Sequence, residues 1–272
     1  MSVVALGLII SLLPTRPNEP IYSGRPLSFW TAGLAPGPSD GSTWDECREA
    51  IRQIGTNSLP YLLEWIQSPP AIDSGISIDV NDPKNRLAYG SAHAFEALGS
   101  SAAAAVPELA RLANSSAAQN NRYLFVQALA GIGPAGLPAL LTVVTNPGNN
   151  ARVFAISAIE NLGTNAEPAL PTLLALLHDP EPDVVAFAAS ALGNLRLQPQ
   201  LVVPALQRLL QGESTTPCRF AINALAQFGP DARTAVPDLA RFLNDPSEHM
   251  RGSATYALRK IAPDVLTNAP AR

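Results

Sequence analysis

Two short patterns recur along the chain about every 33 residues. The first consists of Ala, an apolar residue, two variable residues, a second apolar residue and, in most copies, Gly, as in AFEALG (94–99) and AIENLG (158–163). Its alanines are Ala50, Ala94, Ala128, Ala158, Ala191, Ala224 and Ala257. A fixed period of roughly 20–50 residues is the sequence signature of repeat architectures. The repeat therefore constrains the fold more than any local feature does.

The second pattern is a proline that follows each copy of the first and precedes apolar residues two, five and six positions later. These prolines are Pro60, Pro107, Pro138, Pro171, Pro204 and Pro237. Proline is tolerated in the first turn of a helix, and the apolar spacing places three side chains on one stripe of that helix. The glycine suits a left-handed residue that closes the preceding helix, although Arg196 and Ala262 replace it in two copies. Each repeat is therefore predicted to be two antiparallel helices.

One such hairpin cannot bury its own apolar stripe, so stacked neighbours must cover it. We therefore predict an all-α fold, an α-α superhelix of about seven two-helix repeats, over residues 43–272. The alanines mark close helix contacts, where a larger side chain would overpack the interface. The segment 68–85, SPPAIDSGISIDVNDPKN, interrupts the spacing and is predicted to be a protruding loop.

The period, the Ala-to-Gly pattern and the proline-started helix resemble HEAT repeats of the short bacterial type that also occurs in bilin lyases. The resemblance covers about residues 43–265, with seven first helices and six second helices. It implies an α-solenoid in which the second helices line the concave side. It is specific for the fold and implies no single function.

The N-terminal residues predict a segment separate from the repeats. MSVVALGLIISLL is uncharged but shorter than the roughly 20 apolar residues that a spanning helix needs. Residues 1–16 are therefore a candidate export signal or membrane anchor, with a buried capping segment as the alternative. Residues 17–42 are predicted to be a Pro/Gly-rich tether and N-terminal cap. A membrane-anchored or exported protein is favoured over a cytoplasmic one.

The stretch EPIYSGRPLSFW (19–30) resembles the opening of bacterial membrane-tethered or exported HEAT-repeat proteins. The matching residues are Tyr22, Gly24, Arg25, Pro26, Leu27, Ser28, Phe29 and Trp30. Read from its residues alone, the stretch is predicted to be an aromatic plug that covers the open end of the first hairpin.

No set of residues in the sequence predicts catalysis, a bound cofactor or a metal site. GIGPAG (131–136) satisfies a dinucleotide-binding pattern, but it falls at the end of a first helix and not in the βαβ unit that the pattern requires. The three histidines occur in no metalloprotease pattern, and Cys47, in a column of small residues, is predicted to be buried. The net charge of −4 and the two lysines disfavour nucleic acid as a partner.

The candidate binding site is a ladder of side chains on the second helices, opposite their apolar stripes. It is predicted to contact a protein or peptide partner through Tyr61, Glu64, Glu108, Arg111, Thr142, Thr172, His178, Arg208, Asp238 and Arg241. Its middle, with Ala139, Thr142, Thr172 and Ala175, is small and nearly uncharged, which suits an extended peptide or a helix. The predicted function is a non-catalytic interaction scaffold. The alternatives are a bilin lyase-like or other HEAT-repeat enzyme and, third, a nucleic-acid-binding solenoid.

Overall fold

The computed structural model describes residues 18–36, 41–68, 72–73, 77–78, 82–115, 121–212 and 214–264. The chain divides into two compact units, an N-terminal unit (residues 1–158) and a C-terminal unit (residues 159–272). Both are built from helical hairpins, so the predicted all-α class is confirmed within each unit. The candidate signal or anchor, residues 1–16, lies outside the described residues and stays a prediction.

The N-terminal unit begins with a small β-hairpin and continues with helices. Its elements are β1 (Ile21–Tyr22), β2 (Arg25–Pro26), α1 (Leu27–Gly33), α2 (Trp44–Ile54), α3 (Leu59–Trp65), β3 (Ile72–Asp73), β4 (Ser77–Ile78), α4 (Pro83–Leu98), α5 (Val106–Asn114), α6 (Arg122–Ile132), α7 (Leu137–Val144) and α8 (Arg152–Glu160), whose last two residues belong to the next unit. The strands pair as β1 with β2 and β3 with β4, both antiparallel.

The C-terminal unit continues the same alternation. Its helices are α9 (Leu170–Leu176), α10 (Pro182–Leu195), α11 (Pro199–Leu209), α12 (Thr215–Phe228), α13 (Val236–Arg241) and α14 (Glu248–Ile261). Here α10 packs along α12, and α12 packs along α14. First helices of successive repeats are thus direct neighbours, as stacking of hairpins requires.

The glycines that end the first helices have positive φ, as predicted, but not the predicted left-handed helical conformation. Gly55, Gly99, Gly133 and Gly229 have φ between 54° and 85°, and their ψ values lie between −145° and −133°. This region is essentially restricted to glycine. At one of the two copies that lack glycine, Arg196 takes the left-handed helical conformation itself, with φ 51° and ψ 30°.

Between first and second helices, most repeats contain a short 3-10 helix that the sequence did not predict. These are Gly55–Ser58, Gly99–Ala105, Gly133–Gly136, Gly163–Ala169 and Gly229–Ala235. The proline then falls in the first turn of the second helix, as predicted, in α3, α5, α7, α9 and α13.

The prediction that Pro204 begins a second helix was wrong. The 3-10 helix is missing from this repeat, and α11 begins earlier, at Pro199, so that Pro204 lies inside it. The reason is local, because Arg196 and Gln198 both have positive φ and turn the chain within three residues. Pro199 then occupies the favourable first position of the helix.

The apolar stripes and the alanines form the core, as predicted. The seven alanines of the first pattern are buried, and so are most stripe residues, except Leu209, Phe242 and Leu243, which are partly exposed. The close approach is visible beside Ala224: a Cβ atom on Gly193 of α10 would lie 2.5 Å from the Ala224 Cα of α12. Cys47 and Cys218 are free and buried, as predicted for Cys47.

Residues 18–36, within the predicted tether and N-terminal cap (17–42), are folded against the first hairpin. Both carboxylate oxygens of Glu19 accept hydrogen bonds from the backbone N–H and the hydroxyl of Ser28, at 2.8 Å each. A Cβ atom on Gly90 of α4 would lie 1.8 Å from the Thr31 carbonyl oxygen, so α1 packs directly on α4. Trp30, in the stretch predicted to be an aromatic plug, is buried and donates its indole N–H to the Tyr22 carbonyl oxygen.

The insert predicted over 68–85 is shorter than expected and is not entirely a loop. Its last residues belong to α4, which begins at Pro83 and is capped by the Asp82 side chain at the N–H groups of Lys84 and Asn85. Within the insert, β3 and β4 form a short hairpin. An Asp before Pro is a strong helix start, which the sequence analysis overlooked.

Buried arginines tie helix ends together in the N-terminal unit. The Arg122 guanidinium donates to the Ser115 carbonyl oxygen that follows α5, and the Arg152 Nε donates to the Val144 carbonyl oxygen at the end of α7. Carbonyl groups at the C-terminal end of a helix lack hydrogen-bond donors within that helix. The arginines therefore stabilise the turns that lead from each second helix to the next first helix.

One stretch of the described chain, Arg122–Val144, is long and apolar enough to pass as a membrane span by composition. It comprises α6, a 3-10 helix and α7, and more than half of its apolar window is buried inside the protein. The burial shows that these residues belong to the core of the repeats.

Candidate functional site

The predicted ladder residues lie on the second helices, and none of them is buried. Tyr61, Glu64, Glu108, Arg111 and Thr142 lie in the N-terminal unit; Thr172, His178, Arg208, Asp238 and Arg241 lie in the C-terminal unit. Ala139 is the exception in the predicted middle, because it is only 5% exposed. Its methyl group does not reach the surface, where the longer side chains of α5 and α7 meet.

In the N-terminal unit, the charges of the ladder on α5 pair with each other. Arg111 donates two hydrogen bonds to the Glu108 carboxylate, from Nε at 2.8 Å and from Nη2 at 2.6 Å. These hydrogen bonds lower the pKa of Glu108 and raise that of Arg111. The pair stabilises its own helix, so Arg111 is a weaker candidate for holding a partner than the sequence indicated.

The same unit contains a polar link between adjacent second helices. The Asn114 side-chain amide of α5 donates to the Thr142 hydroxyl of α7 at 2.9 Å. The Asn146 side-chain amide donates to the Asn114 side-chain oxygen at 3.2 Å. At the edge of the unit, the Tyr61 hydroxyl donates to the Asn18 carbonyl oxygen at 2.8 Å. These contacts fix the side chains in one arrangement before any partner binds.

In the C-terminal unit, Gln211, just beyond the end of α11, connects the two predicted charges of α13. Its amide nitrogen donates to the Asp238 carboxylate at 2.9 Å, and its amide oxygen accepts from Arg241 Nη1 at 2.9 Å. Gln207, four residues earlier, also donates to Asp238, at 3.2 Å. The sequence analysis did not predict that Gln211 would hold Asp238 and Arg241 in place.

Arg208 differs from the other charged residues of this surface in the C-terminal unit. It is exposed, and the described part of the chain contains no hydrogen bond or ion pair to its guanidinium. His178, at the end of α9, is also exposed and has no described side-chain partner. Between fixed polar neighbours, Arg208 therefore presents an available cation with five hydrogen-bond donors.

The structure assembles no catalytic or metal-binding cluster among the residues it describes. No group of three or more His, Cys, Asp or Glu side chains could hold a metal ion in that part of the chain. GIGPAG spans the end of α6 and the following 3-10 helix, which confirms that it is not a dinucleotide-binding turn. Burial raises the pKa of the Cys218 thiol to about 11, the opposite of what a nucleophile needs.

The sequence analysis missed a row of aromatic side chains on the first helices. In the N-terminal unit, Tyr89 of α4, Tyr123 of α6 and Phe154 of α8 are in contact, with ring centroids 6.0 and 6.5 Å apart. In the C-terminal unit, Phe187 of α10 and Phe220 of α12 stack at 6.1 Å. The signal was present, because one aromatic residue precedes the pattern alanine by four or five positions in each of these helices.

Comparison with known proteins identifies the repeat. Residues 137–226 match the sequence model of a family described as HEAT repeats. The same hairpin, with its positive-φ glycine and its proline-started second helix, also occurs outside the matched segment, at α4–α5 and α12–α13. None of the curated proteins compared with the chain matches it.

Solved structures share the fold of this chain. Kap121p superposes on 86% of this chain with a TM-score of 0.52 and 17% identity, and the match spans 27% of Kap121p. Kap121p bound to the SUMO protease Ulp1p gives a TM-score of 0.51 at 16% identity, over 79% of this chain and 25% of that one. The CpcE–CpcF complex of phycocyanin lyase from Nostoc sp. PCC7120 covers 90% of this chain and 98% of that one at 17% identity. Its TM-score of 0.38 is too low to support a comparison of function.

Proposed function

We propose that this HEAT-repeat protein is a non-catalytic scaffold that binds a protein or peptide partner along its second helices. The observation that carries the proposal is the guanidinium of Arg208, which has no partner among the described residues, beside the fixed group of Gln211, Asp238 and Arg241. Polar side chains that are already held in place lose little conformational entropy on binding. An unpaired arginine among them can form charge-assisted hydrogen bonds with a partner.

Solved complexes of a protein with this fold offer a precedent for the proposal. Kap121p, whose structure resembles this chain, has been solved with the SUMO protease Ulp1p and with the extreme C-terminus of the protein phosphatase Cdc14p. Because the identity is only 16%, these complexes show what Kap121p binds and not what this chain binds. For this chain they motivate a search for protein partners.

The test replaces Arg208 with glutamate and compares partner recovery with that of the wild type. Crosslinking in native extract, followed by mass spectrometry, would identify the proteins that wild type captures. We expect Arg208→Glu to lose them, because the reversed charge repels a group that the arginine would bind. Thermal stability should hardly change, because substitutions of exposed residues usually alter unfolding free energy by less than about 0.5 kcal/mol.

A matched control is available on a first helix of the same unit. Arg259 of α14 is also exposed and has no described side-chain partner, so Arg259→Glu makes the same charge change away from the second helices. It should recover the wild-type partners. Equal recovery by wild type and Arg208→Glu would show that this surface does not bind them. Arg111→Glu is less informative, because it also breaks the pair with Glu108.

A further inference from the structure

The aromatic row Tyr89–Tyr123–Phe154 ends in an exposed ring, and its two tyrosines are partly exposed. Phe154 is 56% exposed to solvent, although it contacts Tyr123. Exposed phenylalanine contributes little to the core, and aromatic side chains that reach solvent together are typical of binding surfaces. All three rings lie on first helices of the N-terminal unit, whereas the surface proposed above lies on second helices.

A polar row runs beside the aromatic one, one helical turn further along each helix. His93 follows Tyr89 by four residues on α4, and Gln127 follows Tyr123 by four residues on α6. The Gln127 amide nitrogen lies 3.2 Å from the ring nitrogens of His93. Residues four apart on a helix are neighbours on its surface. A ligand that lies on the rings can therefore reach an amide and an imidazole at its side.

This surface carries almost no available charge. The only charged residue of α6 is Arg122, which is buried, and Arg152 of α8 is buried as well. Glu96 of α4 pairs with Arg48 of α2 at 2.6 Å, and its other carboxylate oxygen lies 3.5 Å from His93 Nδ1. The Tyr123 hydroxyl donates to the Tyr89 hydroxyl at 2.6 Å. Burial first, and then this hydrogen bond, raises the pKa of Tyr123, so its ring stays neutral. Charge complementarity therefore selects an uncharged ligand.

The spacing of the rings indicates the conformation of that ligand. In an extended strand, every second side chain points to the same face, about 6.4–6.8 Å from the last. The ring centroids, 6.0 and 6.5 Å apart, follow nearly this repeat. A polyproline II segment repeats about every 9.3 Å, which does not fit. A helix has no free main-chain groups for the polar row, whereas an extended chain does.

We propose that Tyr89, Tyr123 and Phe154, with His93 and Gln127, form a second docking surface for an extended, uncharged peptide segment with apolar side chains at alternate positions. The rings contact the apolar side chains, and the Gln127 amide bonds to the main chain of the peptide. The surface is independent of the second-helix scaffold function.

The first test is a selection from a phage-displayed library of random nine-residue peptides. The library is depleted on a Phe154→Ser variant and then selected on wild-type protein. Enriched peptides should lack net charge and carry apolar residues at positions i, i+2 and i+4. Enrichment of an i, i+3, i+7 pattern would indicate a helical ligand and overturn the proposal, and so would charged peptides or the absence of enrichment.

The second test measures the affinity of one enriched peptide by isothermal titration calorimetry. Phe154→Ser should weaken binding about tenfold, equivalent to about 1.4 kcal/mol. Shuffling the peptide so that its apolar residues are consecutive should weaken binding similarly. Equal affinity of the original and shuffled peptides, or of wild type and Phe154→Ser, overturns the proposal.

Two control variants establish that the loss of affinity is specific to the aromatic row. Leu201 of α11 is 52% exposed and distant in sequence from the aromatic row. Leu201→Ser therefore removes a comparable apolar side chain, and it should leave the peptide affinity within about twofold of wild type. Arg208→Glu should also bind normally, even if the proposed second-helix function fails. Both serine variants should melt within about 2 °C of wild type. If sedimentation shows that wild type self-associates and Phe154→Ser does not, the occupant is a second copy and the peptide proposal is wrong.

Discussion

Because α10 and α12 approach closely at Gly193, alanine at this position should destabilise the protein. Alanine at Gly252, where no other atom is near, should stabilise it. A Cβ atom on Gly193 would lie 2.5 Å from the Ala224 Cα and 2.6 Å from its Cβ. Carbon atoms in contact are normally about 3.5–4.0 Å apart. The two helices must therefore separate by roughly 1 Å to accept the methyl group. Overpacking of this kind costs about 1–3 kcal/mol.

Alanine also favours helix formation over glycine by up to about 1 kcal/mol, which offsets part of this cost. We expect Gly193→Ala to lower the free energy of unfolding by about 1–2 kcal/mol. Gly252 of α14 provides the control, because its added Cβ would meet no atom within 4 Å. Gly252→Ala keeps the propensity gain alone and should stabilise the protein by about 0.5–1 kcal/mol.

Urea denaturation followed by far-UV circular dichroism measures both variants. Both glycines lie in the C-terminal unit, so the comparison reports on the same compact unit. The expected difference between the variants, about 1.5–3 kcal/mol, exceeds the error of the method. If Gly193→Ala stabilises the protein as much as Gly252→Ala does, the contact between α10 and α12 is looser than the structure shows. The proposed role of small residues at this interface would then be wrong.

Two further predictions concern backbone conformation and a buried thiol. Arg196 has φ 51°, so Arg196→Gly should raise the free energy of unfolding by about 1 kcal/mol. Gly229 has φ 54° and ψ −133°, so Gly229→Ala should lower the free energy of unfolding by about 1–3 kcal/mol. Urea denaturation measures both variants. Burial, and secondarily Asp245, raises the pKa of Cys218 to about 11, so the folded state binds the thiol proton more tightly than the unfolded state, whose pKa is near 8.5–9. The resulting stability is fully present below about pH 8.5 and is lost as the pH rises towards 11. Wild type should therefore lose stability over this range more steeply than Cys218→Ala, and parallel curves would contradict the assignment.

The repeat hairpin could be predicted from sequence because each of its signals is local. Gly99 ends a helix because its backbone conformation excludes other residues, and Pro107 begins one because its missing N–H is not needed there. Pro204 was wrongly assigned to the first turn of its helix. The tighter turn before α11 lets that helix begin at Pro199, so Pro204 lies inside it. The turn depends on Arg196 and Gln198, whose positive φ values are rare for such residues.

The candidate site could be predicted only in part. Arg208 is exposed and Asp238 partly exposed, both on second helices, where helical periodicity placed them. Periodicity could not show that Gln211 engages Asp238 while Arg208 has no partner among the described residues, because side chains of similar reach compete for the same partner across two helices. Nor did it distinguish Ala139, which periodicity placed on the surface and neighbouring side chains keep buried.

The sequence by itself determined the hairpin, its period and the residues that seal one repeat against the next. These properties follow from backbone geometry and from apolar spacing within about ten residues. The tertiary structure alone decided which side chains of different repeats meet, such as Tyr89 with Tyr123 and Phe154, and that residues 18–36 fold as a cap over α4. Such contacts join residues far apart in the chain. Their distances are set by the rotation and offset between stacked helices, which no local pattern encodes.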